Sequence, residues 1–308
     1  MKKRILEAPT LFYQKIPSWL FLILACIMVY LFIFAGSFIG GLITALLITI
    51  LHLIGSTDLG FNAVFSSFRF WLFLFFFASL LVFAWVKWVE KRPISSLGLF
   101  KDNWFKAIVK GWAVGTFIFT AAFLLIYLFG GVELQATDFS AAAILYVLSI
   151  IPFWFIQGGT EELLTRGWLL PLINKRSNLA VAIGISSSLF GLMHLVNNHV
   201  TVLSVTVLIL SGIFMALYML KTDNLWGVAG LHGAWNFTQG NIFGAAVSGT
   251  DAGKSLLHFV SKAGAADWIS GGKFGAEGSL LTSLVLLVGI VILGLLLKRE
   301  SKTICEEV

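Results

Sequence analysis

Charge is scarce in this chain. Asp, Glu, Lys and Arg make up only 12% of its 308 residues, against about 25% in an average soluble domain. From Ser18 to Ile54, and again from Phe139 to Thr160, there is none at all. Cysteine is nearly missing as well. Cys26 lies inside an apolar run and Cys305 near the end, so neither a disulfide framework nor a cysteine metal cluster can be built. No internal repeat and no low-complexity tract interrupts the chain. The apolar run that follows Met1-Lys2-Lys3-Arg4 is too long for the core of a cleavable signal. Cys305-Glu306-Glu307-Val308 has the spacing of a prenylation site, but its acidic middle pair speaks against one.

What is present is apolar: 58% of the residues are hydrophobic, gathered into uncharged runs of membrane length. Runs this long are helices rather than barrel strands, because each span must satisfy its own backbone hydrogen bonds in lipid. The sequence therefore predicts an all-α polytopic membrane protein of about eight transmembrane helices, over residues 18–54, 69–89, 104–129, 140–173, 178–197, 200–220, 224–244 and 279–298. The first run is compatible with one long helix or with two short spans broken at Gly36, Gly40 and Gly41. Loop charge decides between them. With a single first helix, the clusters Lys2-Lys3-Arg4, Lys87 to Lys110, Lys175-Arg176, Lys221 and Lys298-Arg299-Lys302 share one side, which places both termini in the cytoplasm. The opposite side receives Asp58, Glu133, Asp138, Asp251 and Asp267. The net charge of +6 is thus spent on topology, and no nucleic-acid partner is expected. Residues 94–110 read as a basic amphipathic surface segment, and Gly111 and Gly115 as a site of close helix packing. Within the glycine-rich stretch 249–278, Trp268 and Phe274 read as interfacial anchors. The chain divides into N-terminal helices with a basic loop (1–139), a core (140–244), and a polar loop, last helix and tail (245–308).

Ionisable groups inside such spans are costly and point to a site. Glu161, Glu162 and Arg166 are the first. Glu162 and Arg166 stand at i and i+4, on one face, and can neutralise each other. Glu161, rotated about 100° from its neighbour, is left for chemistry. His194 ends the fifth span, and His232 and Asn236 share a face of the seventh at i and i+4. At ~1.5 Å per residue, Glu161, His194 and Asn236 lie about 21, 27 and 23 Å from the basic ends of their helices. Three distant segments thus bring polar side chains to similar depth. Gln157 and Thr160 are near enough to support them. His52, His199 and His258 show no such convergence, and a structural role suffices for them.

In this order, Glu161-Glu162-x-x-x-Arg166, Phe190-x-x-x-His194 and His232-x-x-x-Asn236 resemble the three motifs of the CPBP (Abi) intramembrane proteases, the type II CAAX prenyl endopeptidases and their bacterial relatives. The stretches Arg92–Leu99 and Trp268–Gly278 resemble flanking features of bacterial members. Thr165 departs from the aromatic residue often found before the motif Arg. The resemblance covers mainly residues 140–244 and implies an endopeptidase acting on a membrane-associated, CAAX-type protein or peptide, in contact with membrane lipid. An apolar surrounding strengthens a carboxylate's hold on a proton, which suits a general base. Glu161 is therefore assigned to deprotonate the attacking water, with His194 orienting it. Glu162 and Arg166 position the site, and His232 and Asn236 donate to the oxyanion. No cofactor is expected. A zinc version would use Glu161, His194 and His232 as ligands, but the sequence lacks the H-E-x-x-H spacing. The contrasting class is non-enzymatic: a bacteriocin-immunity protein, a membrane scaffold or a transporter.

Overall fold

Helix starts are written locally in this chain. Ser140, Asn178, Thr201 and Asn224 each precede an apolar run, and each side chain accepts a hydrogen bond from a backbone N–H of the first turn. Such bonds satisfy donors that a helix start leaves unpaired. The structure, a computed structural model, describes residues 3–7, 16–55 and 60–306, with side chains as far as Glu300. Lys2, Asp58 and the side chains of Lys302 and of Cys305 to Val308, which entered the readings above, lie outside the described residues.

The long helices are α1 (Ser18–Leu53), α2 (Phe68–Ala84), α3 (Trp104–Leu128), α4 (Ala141–Glu162), α5 (Leu179–Met193), α6 (Val202–Thr222), α7 (Leu225–Phe237) and α8 (Leu280–Glu306). Wide π turns extend α2 (Trp85–Val89), α4 (Leu163–Leu169) and α7 (Thr238–Ile242), and α4 then resumes over Leu170–Arg176. Among the described residues, sheet is confined to β1 (Val132–Thr137), paired antiparallel with β2 (Leu257–Ser261), and one isolated bridge. The chain is an all-α polytopic membrane protein.

Among the described residues, seven helices are long and apolar enough to cross a membrane. The eighth expected span, 224–244, forms α7 but is not among them. Its N-terminal Leu225 N–H donates to Gly98 O at one end of the bundle, and Asn241 bonds Ala252 O and Lys254 O at the other. It therefore runs the full depth of the bundle, but inside it, with every residue from Gly227 to Asn241 buried. A helix wrapped in protein needs no lipid-facing apolar surface, so it can carry His232, Asn236, Gln239 and Asn241.

Close backbone contact holds α7 there. A Cβ added at Gly111 of α3 would lie 1.8 Å from Gly227 O, and one at Gly115 would lie 2.2 Å from Leu231 O. Small residues allow that approach, as expected for this pair. Gly36 and Gly40 do the same work in α1, facing Ala78 and Phe77 of α2. They do not break α1, which continues for 36 residues. At ~1.5 Å per residue that is about 54 Å, so α1 must tilt in, or project beyond, a hydrocarbon core of about 30 Å.

Two other expectations need correction. Residues 94–110 form a surface segment only in part: Ile94–Leu97 is a 3-10 turn whose Leu97 is fully buried, whereas residues 101–106 are exposed, and Lys106 and Lys110 belong to the first turns of α3. Phe274 is not an interfacial anchor, being 1% exposed and packed against Phe190 and Leu208. Glycines at positive φ, among them Gly271 and Gly275, fold its loop back onto the bundle. Trp268 is exposed.

The two ends of the bundle differ in charge. At one end Arg4 pairs with Asp102 and Asp223, and Glu300 pairs with Lys3 and Lys221. There too Arg176 donates to Ile16 O. The other end holds β1, β2 and the loop 243–279, with Asn197 donating to Ser248 O.

Candidate active site

Gln157 and Glu161 lie one turn apart on α4, as do His232 and Asn236 on α7. Glycine brings the two helices together. A Cβ at Gly158 would sit 2.9 Å from Gly233 N and 3.0 Å from His232 Cγ. That contact places His232 between both glutamates. Its Nδ1 is 2.9 Å from Glu162 Oε1, and its Nε2 is 3.6 Å from Glu161 Oε2. Asn236 Nδ2 donates to Gln157 Oε1 at 2.9 Å.

Glu162 is fully buried and outside the cavity, and its Oε1 also accepts from Arg166 Nη1 at 3.0 Å. Arg166, equally buried, donates to Thr165 Oγ1 at 2.6 Å and lies 4.7 Å from the centre of the Phe190 ring. Thr165 donates in turn to Glu161 O. A small hydroxyl residue therefore replaces aromatic packing with two hydrogen bonds that tie Arg166 to the glutamate turn. The π turn Leu163–Leu169 begins directly after the glutamates, a feature often found at functional sites.

His194 closes α5. Its Nδ1 is 2.8 Å from Phe190 O, and a carbonyl only accepts, so Nδ1 carries the proton and Nε2 of the neutral ring is left as an acceptor. The Phe190 ring lies 5.0 Å from the His194 ring and 5.6 Å from the His232 ring, linking the two histidines. The same proton logic holds for His232. With Nδ1–H given to the Glu162 carboxylate, its Nε2 can donate to a substrate oxygen only if the ring is an imidazolium. Asn236 donates as a neutral amide.

Glu161, His194, His232, Asn236 and Gln157 all line one cavity of about 720 Å³. Glu161 is 5% exposed, and its Oε2 accepts no hydrogen bond among the described residues. Among those residues, no three His, Cys, Asp or Glu side chains are placed to hold a metal ion. Of the supporting pair, Gln157 lines the cavity, whereas the Thr160 hydroxyl turns to Ile156 O and the α2 backbone. His52 rests against the Phe61 ring, His199 is a turn residue at φ 60°, and His258 lies in β2.

Residues 143–238 match the family model for type II CAAX prenyl endopeptidases, Rce1-like. The Rce1-like segment starts inside α4, ends at Thr238, and contains Glu161, Glu162, Arg166, His194, His232 and Asn236. No curated protein and no solved structure matches the chain. Beyond the Rce1-like segment, the loop 243–279 contributes a carboxylate that the sequence reading passed over. Glu277, 4% exposed, lines the same cavity. Its Oε2 accepts from Ser248 N and Oγ, both at 2.7 Å, and from Gln239 Nε2 at 3.5 Å. The available signal was an acidic residue within a glycine-rich run that folds onto the site.

Proposed function

We propose that this chain is an intramembrane endopeptidase in which Glu161 activates water against a peptide bond held in the cavity. The Rce1-like match supports a CAAX-type membrane protease at the level of the family. The observation that carries the finer reading is Glu161 itself, a buried carboxylate whose Oε2 has no hydrogen-bond donor among the described residues and faces His232 Nε2 across 3.6 Å. A water in the cavity gives a proton to the Glu161 carboxylate as its oxygen attacks the carbonyl carbon, with the acceptor Nε2 of His194 helping to orient it. The oxyanion is held first by Asn236, whose amide keeps an N–H beyond the one given to Gln157, and by His232 when doubly protonated. Collapse of the intermediate breaks the C–N bond, and the proton on Glu161 passes to the leaving amine. Glu162 and Arg166 touch no substrate and fix the His232 ring.

The substrate is a membrane-associated protein or peptide, prenylated or not, that reaches the cavity within the bilayer. The basic end of the bundle, with both termini, faces the cytoplasm of a cell membrane. Cysteines introduced singly at Lys101 and Lys262, in a background where Cys26 and Cys305 are serine, should then react with an impermeant thiol reagent from opposite sides. Labelling from the same side would overturn this topology.

Asn236→Ala separates an oxyanion donor from a metal site. The donor reading expects kcat to fall about 10²-fold, with KM nearly unchanged. Activity should also survive prolonged chelation. If chelation removes activity and added Zn²⁺ restores it, with Asn236→Ala close to wild type, the metal-free mechanism is wrong.

A further inference from the structure

We infer that the basic end of the bundle carries a second site, which holds the phosphodiester of an anionic phospholipid headgroup. It is independent of the endopeptidase reading. A cavity of about 390 Å³ lies between the starts of α3 and α7 and the end of α6, and it shares no lining residue with the cavity around Glu161. Glycine makes the space. A Cβ at Gly111 would lie 1.8 Å from Gly227 O, so α3 and α7 meet backbone to backbone, and Gly227 lines the cavity with no side chain to fill it.

The wall is rich in donors. Lys106 and Lys110 line it one turn apart on α3, both exposed, and neither has a partner among the described residues. Arg4 pairs with Asp102, which also lines the cavity, and with Asp223 beside Asn224. Three cations against two carboxylates leave the site positive.

Two buried side chains add donors of their own. Tyr218, 9% exposed, lines the cavity, and its hydroxyl bonds nothing among the described residues. Asn224, 7% exposed, caps α7: its Oδ1 accepts from Trp226 N at 2.7 Å and from Gly227 N at 3.4 Å. That fixes the amide and leaves Nδ2 as the end without a partner among those residues. Buried polar groups left unpaired are costly and call for a ligand. Phosphate oxygens, which only accept, suit such a wall.

The setting selects a lipid. Trp104, Phe105 and Val109 are exposed in the first turns of α3, beside the lysines, as at a helix end level with lipid headgroups. Basic pockets between helices at that level suit anionic headgroups. A choline or ethanolamine headgroup brings a cation of its own, whereas Asp102 and Asp223 are already paired with Arg4.

The test titrates fluorescent phosphatidylglycerol into the full chain in neutral detergent micelles, with unlabelled lipids and inorganic phosphate as competitors. Phosphatidylglycerol should compete at least about tenfold better than phosphatidylcholine, and millimolar inorganic phosphate should not displace the probe. Replacing both lysines, Lys106→Gln with Lys110→Gln, should weaken binding at least about tenfold. Tyr218→Phe removes only an unpartnered hydroxyl. It should weaken binding about tenfold while the lipid-free protein melts with the wild type.

No binding, equal competition by the two lipids, or variants that bind like the wild type would overturn the inference. So would loss in the lysine variant alone, with Tyr218→Phe unaffected, which marks diffuse attraction to a charged surface. Displacement by inorganic phosphate would assign the site to a free phosphate and overturn the lipid.

Discussion

Glu161→Gln is expected to lower turnover by about 10²–10⁴-fold, the range that a positioned general base supplies. The amide keeps the shape of the side chain but cannot take a proton from water. Its neighbours impose little structural penalty on the change, because no described residue donates a hydrogen bond to Oε2. Abundance in the membrane and thermal melting should therefore stay close to wild type. Near-normal proteolysis by this variant would show that another group activates the water.

Arg166→Ala is expected to act on stability instead. Glu162 and Arg166 are both 0% exposed and 3.0 Å apart. Removing one member of a buried pair typically costs ~3–5 kcal/mol, because the remaining charge is stranded. Here the loss also frees Thr165 Oγ1 and one face of Phe190, which Arg166 contacts. The measurable result is a lower melting temperature and less protein in the membrane. Adding Glu162→Gln to Arg166→Ala should recover part of that loss, since the stranded carboxylate is then neutral. A single variant that melts with the wild type, or a double variant that is worse than the single, would contradict a stabilising ion pair.

Much of this site was readable one helix at a time. The i, i+4 spacing of Glu162 and Arg166, and of His232 and Asn236, follows from 3.6 residues per turn, and both pairs share a face as expected. Loop charge and helical rise pointed to Glu161, His194 and Asn236 as a group, and the three line one cavity. Long-range geometry was not. That His232 Nδ1 turns to Glu162, 70 residues away, depends on the contact between Gly158 and Gly233, and no local periodicity encodes it. The same holds for the pairing of β1 with β2 and for the folding of 243–279 over the cavity. That loop reads as polar and glycine-rich, with Phe274 at the membrane interface, yet positive-φ turns at Gly271 and Gly275 accompany the burial of Phe274 and Glu277. α7 is less apolar than the other spans for a physical reason: a helix enclosed by protein is free of the constraint that lipid places on its neighbours.

The most direct measurement is of carboxyl termini in cell membranes that contain equal amounts of wild-type or Glu161→Gln protein. A glutamate-dependent endopeptidase should yield a set of new peptide termini with the wild type that is missing with the variant, and the set should persist under chelation. Matching sets of termini in the two membranes, with both proteins folded, would contradict a protease and favour a non-catalytic membrane role.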